Sequence, residues 1–106
     1  MAKYLIKVSY SAQGTKGVAA DGGTRRRDEA AHVAEQLGGS LESFYYAFGA
    51  TDAYIVIDFP DHAAAVAASL AANGSGGISS EVVVLLTPEE VDEAAKRSVD
   101  FSPPGA

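Results

Sequence analysis

The sequence predicts an α+β fold in which four strands and two main helices alternate in the order β-α-β-β-α-β, followed by a short extra helix. Three observations support this fold class. An alternating apolar pattern near the N-terminus indicates a strand. Apolar side chains at helical spacing occur twice, each time before glycine. Two aromatic-rich runs flank a short Gly-x-x-Asp segment, which indicates an antiparallel hairpin.

The first half of the chain is predicted to form a strand, a helix and a second strand. The run KYLIKVSY alternates between two faces, as a half-buried strand does. The helix that follows has an apolar stripe and ends at Gly38-Gly39. Because glycines before the stripe each cost up to about 1 kcal/mol relative to alanine, we expect helix in pieces from about Thr15. The stripe consists of Ala30, Val33, Ala34 and Leu37.

The second strand, SLESFYYAFG, carries large apolar side chains on both faces. We expect Phe44, Tyr46 and Phe48 on one face. On the other face we expect Leu41, Tyr45 and Ala47. Two helices cover only one face of a four-stranded sheet, so the second face needs another cover. This predicts a homodimer or higher homo-oligomer formed through the open sheet face.

The second half of the chain repeats the strand and helix pattern. AYIVIDF is predicted as the third strand, ended by Pro60, and Asp61 as the cap of a helix that reaches Gly74. The apolar stripe of this helix is expected to consist of Ala63, Val66, Ala67 and Leu70. GGISSEVVVLL is the fourth strand, and Thr87 with Pro88 and Glu90 predicts a capped terminal helix.

This order is the split βαβ, or ferredoxin-like, arrangement, with an antiparallel four-stranded sheet and the helices on one face. Residues 1–97 are expected to form a single domain and residues 98–106 a flexible C-terminal tail.

Composition and charge exclude several classes of function. A net charge of −6 disfavours nucleic acid and anionic membranes as partners. Cysteine is absent, and neither of the two histidines has a metal-ligand spacing, so no metal and no cofactor is expected. With no secretory signal pattern and no apolar run long enough to cross a bilayer, a cytoplasmic protein is expected.

A small-ligand pocket is expected between the sheet and the first helix. Arg26 lies on the apolar stripe of that helix, where it can be a snorkelling arginine or can face a carboxylate. Gly22 and Gly23 leave room over the sheet. Asp52 fits a turn residue, with a role in proton transfer or ligand anchoring as the alternative. The predicted ligand-binding residues are Tyr10, Arg26, Tyr46, Asp52 and Tyr54.

The segments ESFYYAFGATD, AYIVIDFPD and LLTPEEVDEA resemble the GYD-domain proteins, and the resemblance covers almost all of residues 4 to 96. It implies a ferredoxin-like fold of the dimeric α/β-barrel type. The motif that names the family is a glycine followed by a Tyr-Asp pair. This chain has Gly49 and Asp52 but Thr51 at the tyrosine position, with Tyr54 as a possible substitute.

The fold implied by the resemblance includes monooxygenases, isomerase-like enzymes and ligand-sensing domains, so three functions stay open. The first is an oligomeric module that binds a small organic ligand. The second is a cofactor-independent, monooxygenase- or isomerase-like enzyme, with Asp52 or a tyrosine transferring protons. The third is an assembly subunit without a ligand.

Overall fold

The computed structural model of the chain describes residues 1–105 and confirms the predicted order of elements. Within these residues there are four strands and four helices. They are β1 (Ala2–Tyr10), α1 (Ala12–Asp21), α2 (Gly23–Gln36), β2 (Ser40–Tyr46), β3 (Ala53–Phe59), α3 (His62–Gly74), β4 (Ile78–Val84) and α4 (Pro88–Ala95).

The four strands form one antiparallel sheet in the order β2-β3-β1-β4. In the register of the central strands, Tyr4 lies opposite Ile57 and Val84, and Ile6 lies opposite Ile55 and Val82. This is the ferredoxin-like topology that the sequence predicts, with α2 and α3 against one face.

The core lies between the sheet and these two helices. On β3, buried and less buried residues alternate at every position, as expected for a strand with one covered face. The rings of Tyr4 and Phe59 meet edge to face, with centroids 5.7 Å apart. The buried apolar residues are Tyr4, Val8, Ala34, Ala53, Ile55, Ile57, Phe59, Ala64 and Ala65.

Strand β2 departs from strict alternation. The register shifts between Leu41 and Ser43, which places Leu41 opposite Ile57 and against the core. The prediction that Leu41 lies on the open face is therefore wrong. The strand also ends at Tyr46, so that Phe48 lies in the loop that follows.

The first helical region is broken, as predicted, but it begins earlier than Thr15. The Ser11 hydroxyl accepts a hydrogen bond from the N–H of Gly14, which caps α1. Gly22 has φ of 86° and separates α1 from α2, because a left-handed residue cannot continue a helix. Gly14 in α1 lies against the backbone of Gly77, where an added Cβ would be 2.0 Å from the carbonyl oxygen.

Helix α3 is capped by Asp61, as predicted, but its buried face differs from the prediction. Ala64 and Ala65 are buried, whereas Val66 and Leu70 are exposed. The hydroxyls of Ser69 and Ser80 are hydrogen-bonded at 3.0 Å, and Asn73 Oδ1 accepts the Ser80 N–H at 2.8 Å. These bonds to β4 hold the helix in a rotation that turns Ala64, Ala65 and Ala68 inward. The predicted stripe, Ala63, Val66, Ala67 and Leu70, therefore faces outward.

The C-terminal region extends from the body of the fold. The capping box of Thr87 and Glu90 that begins α4 is confirmed, yet every residue of α4 is exposed. The radius of gyration is 16.9 Å, against about 13 Å for a compact chain of this length. Residues 98–105 form no helix or strand, and Ala106 of the predicted tail lies outside the described residues.

No helix within residues 1–105 combines the length and the apolar character required to cross a membrane.

Candidate functional site

A cavity of about 310 Å³ lies between the helix-covered face of the sheet and helices α2 and α3. Its volume is at the lower end of the range of small-molecule pockets, about 300–1,000 Å³. Its walls are mostly aliphatic. The lining residues are Ile6, Val8, Tyr10, Arg26, Glu29, Ala30, Val33, Phe44, Ile55, Ile57, Ala68, Ser69, Ala71, Ala72, Ser75, Ile78 and Ser80.

The cavity exists because the helices present small side chains to the sheet. Helix α3 contributes Ala68, Ala71 and Ala72, and α2 contributes Ala30. Protein interiors are normally filled to the density of organic crystals, and no large side chain from either helix fills this space. The hydrogen bonds of α3 to Ser80 fix the helix in the orientation that leaves the space open.

Tyr10 and Arg26 meet at this cavity, so the structure brings together two of the predicted residues. Tyr10 is the last residue of β1, and Arg26 lies in the first turn of α2. Burial, followed by the neighbouring Tyr46 hydroxyl, raises the pKa of Tyr10 to about 12, and the Arg26 charge opposes this rise. Near neutral pH the Tyr10 phenol is therefore uncharged and can donate a hydrogen bond.

Tyr46 lies beside the cavity rather than on its wall. Its hydroxyl donates a hydrogen bond of 3.1 Å to the Gly23 carbonyl, and its ring stacks on Phe48 with centroids 5.4 Å apart. A Cβ added to Gly23 would lie 3.0 Å from this ring. The Tyr46 ring therefore occupies the space over Gly23, where room for a ligand was expected, whereas a Cβ added at Gly22 would meet no atom within 4 Å.

Asp52 ties the loop after β2 to the end of β1. Its Oδ2 accepts the Tyr10 N–H at 2.8 Å, and its own N–H donates to the Val8 carbonyl at 2.8 Å. Its carbonyl accepts the N–H of Ala47 at 2.8 Å. The left-handed residue of this loop is Phe48, with φ of 54°. Asp52 thus orients the backbone of Tyr10, a cavity residue.

Tyr54 lies on the opposite face of the sheet. Its neighbours Ala53 and Ile55 are buried toward the helices, so alternation turns Tyr54 away from the cavity. It is 38% exposed and lies opposite Lys7 and Tyr45 in the register. The expectation that Tyr54 lines a pocket beneath the first helix is therefore wrong.

The open face of the sheet combines an apolar row with ion pairs. Leu5 lies opposite Val56 on one neighbouring strand and Val83 on the other, which forms a row across three strands. Hydrogen bonds to Glu42 and then Asp58 raise the pKa of the Lys3 ammonium, which lies beside this row. With Leu41 turned to the core, this face is more polar than the sequence predicts.

Sequence reasoning missed two polar contacts. The Tyr4 hydroxyl and His62 Nδ1 are 2.6 Å apart, and this hydrogen bond satisfies a buried phenol. Ser69, Asn73 and Ser80 form the second contact. The spacing of Ser69 and Asn73, one helical turn apart on an alanine-rich helix, is the signal that identifies this polar edge.

Within residues 1–105, no group of three or more His, Asp or Glu side chains could hold a metal ion. The cavity instead offers an aliphatic surface with the Arg26 guanidinium, the neutral Tyr10 phenol, the Glu29 carboxylate and three serine hydroxyls. This combination can orient an uncharged or anionic organic molecule by hydrogen bonding.

Comparison with known proteins yields a family but no close relative. The family model described as the GYD domain matches residues 4–95. No curated protein and no solved structure shows a significant match. The matched residues run from Tyr4 in β1 to the end of α4 and include all residues that line the cavity.

Proposed function

The chain belongs to the GYD domain family, and we propose that it is a cytoplasmic, homo-oligomeric protein that binds a small organic ligand in the cavity between its sheet and helices α2 and α3. The single observation that carries the proposal is the cavity itself. It has about 310 Å³ of space under two helices in a chain of only 106 residues.

The composition of the cavity walls supports binding rather than an accidental gap. Small-molecule sites are largely apolar with a few polar groups that fix orientation. Here the floor is aliphatic, and the polar Tyr10 and Arg26 lie together. The backbone of Tyr10 is held by Asp52, so one of these polar groups has a fixed position before any ligand arrives.

An enzymatic role gains no support from the same geometry. A general base needs a pKa near the working pH, and a Tyr10 pKa of about 12 is far above it. The Asp52 carboxylate accepts a backbone N–H. We therefore keep ligand binding as the proposal and do not advance the enzyme.

A neutral apolar probe tests the binding proposal. Octan-1-ol titrated into the protein and followed by calorimetry should bind to one site per chain. Ala72→Phe, which places a ring in the cavity, should abolish binding, whereas Ala67→Phe on the exposed side of α3 should not. If octan-1-ol does not bind to the unmodified protein, or if it binds equally to both variants, the proposal is wrong.

The oligomer is proposed to form through the open face of the sheet. The row of Leu5, Val56 and Val83 provides the apolar centre of this interface. Burial of a charge in such a centre without a partner is costly. Val56→Glu should therefore dissociate the oligomer, as measured by native mass spectrometry.

The matched control is Val66→Glu on the outer face of α3. If Val66→Glu dissociates the protein and Val56→Glu does not, then α3 and not the sheet forms the interface. If the unmodified protein is monomeric at micromolar concentration, the oligomer proposal fails, and the test of the cavity is unaffected.

A further inference from the structure

The ligand class of the cavity follows from its charged groups. Resting on the proposed binding function, we infer that the ligand is a monocarboxylate with an apolar body, whose carboxylate is bound by Arg26 and Tyr10.

The cavity volume sets the size of the ligand. One water-sized group occupies roughly 30 Å³ of liquid, so 310 Å³ accommodates about ten such groups. Because the floor of the cavity is aliphatic and includes Ile55 and Ile57, most of the ligand's groups must be apolar. An eight-carbon fatty acid or a phenylpropanoate has this size.

The serine hydroxyls at the cavity already have partners. Ser69 and Ser80 are hydrogen-bonded to each other at 3.0 Å. Ser80 also donates to Asn73 Oδ1 at 2.9 Å, and Ser75 donates to the Ala72 carbonyl at 2.7 Å. These groups therefore contribute little to the recognition of a ligand.

Arg26 is different. Its side chain is 32% exposed, and the nearest carboxylate oxygen, Asp21 Oδ2, is 3.8 Å from Nη1. That separation exceeds the length of an N–H···O hydrogen bond, about 2.7–3.2 Å. No residue in the range 1–105 accepts a hydrogen bond from this guanidinium. Its donors at the cavity match the geometry of a carboxylate.

Tyr10 provides a second donor. Tyr10 and Arg26 line the same cavity. Burial raises the pKa of the Tyr10 phenol, which therefore stays protonated near neutral pH. A guanidinium and a neutral phenol side by side favour an acceptor that carries negative charge. An amine or another cation would be repelled by Arg26.

The surrounding carboxylates restrict the ligand to a single negative charge. Glu29, one turn beyond Arg26, also lines the cavity, and the Asp21 carboxylate lies 3.8 Å from the Arg26 guanidinium. Asp52 holds the backbone of Tyr10. The net charge of the chain is −6. A dicarboxylate or a phosphate would place its additional charge against these groups, which is unfavourable.

The experiment compares octanoate with octan-1-ol, which has nearly the same length but no charge, at pH 7 by calorimetry. The unmodified protein should bind octanoate at least about tenfold more tightly than octan-1-ol. Arg26→Gln should remove this preference by weakening octanoate about tenfold, with octan-1-ol affinity changed less than about twofold. Arg25→Gln, an exposed arginine that does not line the cavity, should change neither affinity.

The outcomes separate the two proposals. If octan-1-ol binds as tightly as octanoate, or if Arg25→Gln weakens octanoate as much as Arg26→Gln, the monocarboxylate inference is wrong and the binding function stands. If phenylalanine binds more tightly than 3-phenylpropanoate, Glu29 recognises an ammonium group and the inference is also wrong. If neither octanoate nor octan-1-ol binds, the proposed function itself fails.

Discussion

The close approach of α1 to the Gly77 segment provides a test of the packing of the fold. Gly14 in α1 faces the carbonyl group of Gly77, and an added Cβ would lie 2.0 Å from that oxygen. An ordinary contact requires about 3.4 Å, so the two segments would have to separate by about 1.4 Å. Because the obstacle is backbone, no side-chain rotation can relieve it.

The cost of Gly14→Ala can be worked out from this geometry. Overpacking of this kind costs about 1–3 kcal/mol. Separation of the segments also weakens the hydrogen bond from the Ser11 N–H to the Gly77 carbonyl, 3.0 Å long, which is worth about 0.5–1.5 kcal/mol. The gain in helix propensity, about 0.5–1 kcal/mol, offsets part of this. A net destabilisation of about 1–3 kcal/mol is expected.

Gly17→Ala is the matched control on the same helix. A Cβ at Gly17 would meet no atom within 4 Å. Gly17→Ala should therefore only gain helix propensity and stabilise the protein by about 0.5–1 kcal/mol. The two variants should differ by about 2–4 kcal/mol in free energy of unfolding, measured by urea denaturation. The melting temperatures of the two variants should differ by about 8 °C or more. If both substitutions stabilise the protein equally, the close approach of α1 to the Gly77 segment is wrong.

Three further predictions concern polar contacts. Asp52→Ala should lower the free energy of unfolding by about 1–2 kcal/mol in urea denaturation, because the Tyr10 N–H loses its acceptor. Asp52→Asn keeps an acceptor and should destabilise the protein less. Equal destabilisation by the two substitutions would contradict the hydrogen bond. The raised pKa of Tyr10 means that its stabilising contribution is complete below pH 10 and is lost as the pH rises to about 12. Spectrophotometric titration should find one late-ionising tyrosine that Tyr10→Phe removes, and its persistence in that variant would refute the assignment. His62→Ala should destabilise the protein by about 1–3 kcal/mol, because the buried Tyr4 hydroxyl loses its partner. Adding Tyr4→Phe to this variant should recover part of the lost stability. A double-mutant cycle that shows no coupling between the two residues would contradict the contact.

The order of elements could be predicted because its signals are local. Alternation in β1, the Asp61 cap of α3 and the capping box of Thr87 and Glu90 each depend on a few neighbouring residues. The break at Gly22 follows from glycine conformation in the same way.

The rotation of α3 could not be predicted from the same kind of pattern. Nine of the 13 residues of this helix are alanine, valine or leucine, so several apolar stripes are possible, and the larger Val66 and Leu70 suggest the wrong one. The choice is made by Ser80 on β4, which donates hydrogen bonds to Asn73 Oδ1 and shares one with the Ser69 hydroxyl. The cavity depends on this rotation, and therefore the sequence alone does not reveal its walls.

The candidate site was predicted in part. Arg26 and Tyr10 meet at the cavity because the helical stripe and the strand alternation both point toward the core. Alternation should also have excluded Tyr54, since it is flanked by the buried Ala53 and Ile55. The bulge that returns Leu41 to the core is a property of strand pairing, which is not visible in β2 alone.

Methyl NMR with octan-1-ol tests the central claim most directly, because it locates the bound molecule. The account predicts saturable shifts of the Ile55 and Ile57 methyl groups, which line the cavity, and unchanged Val66 and Leu70 methyl groups on the exposed side of α3. Shifts confined to the exposed methyl groups, or no saturable shift at either isoleucine, would contradict it.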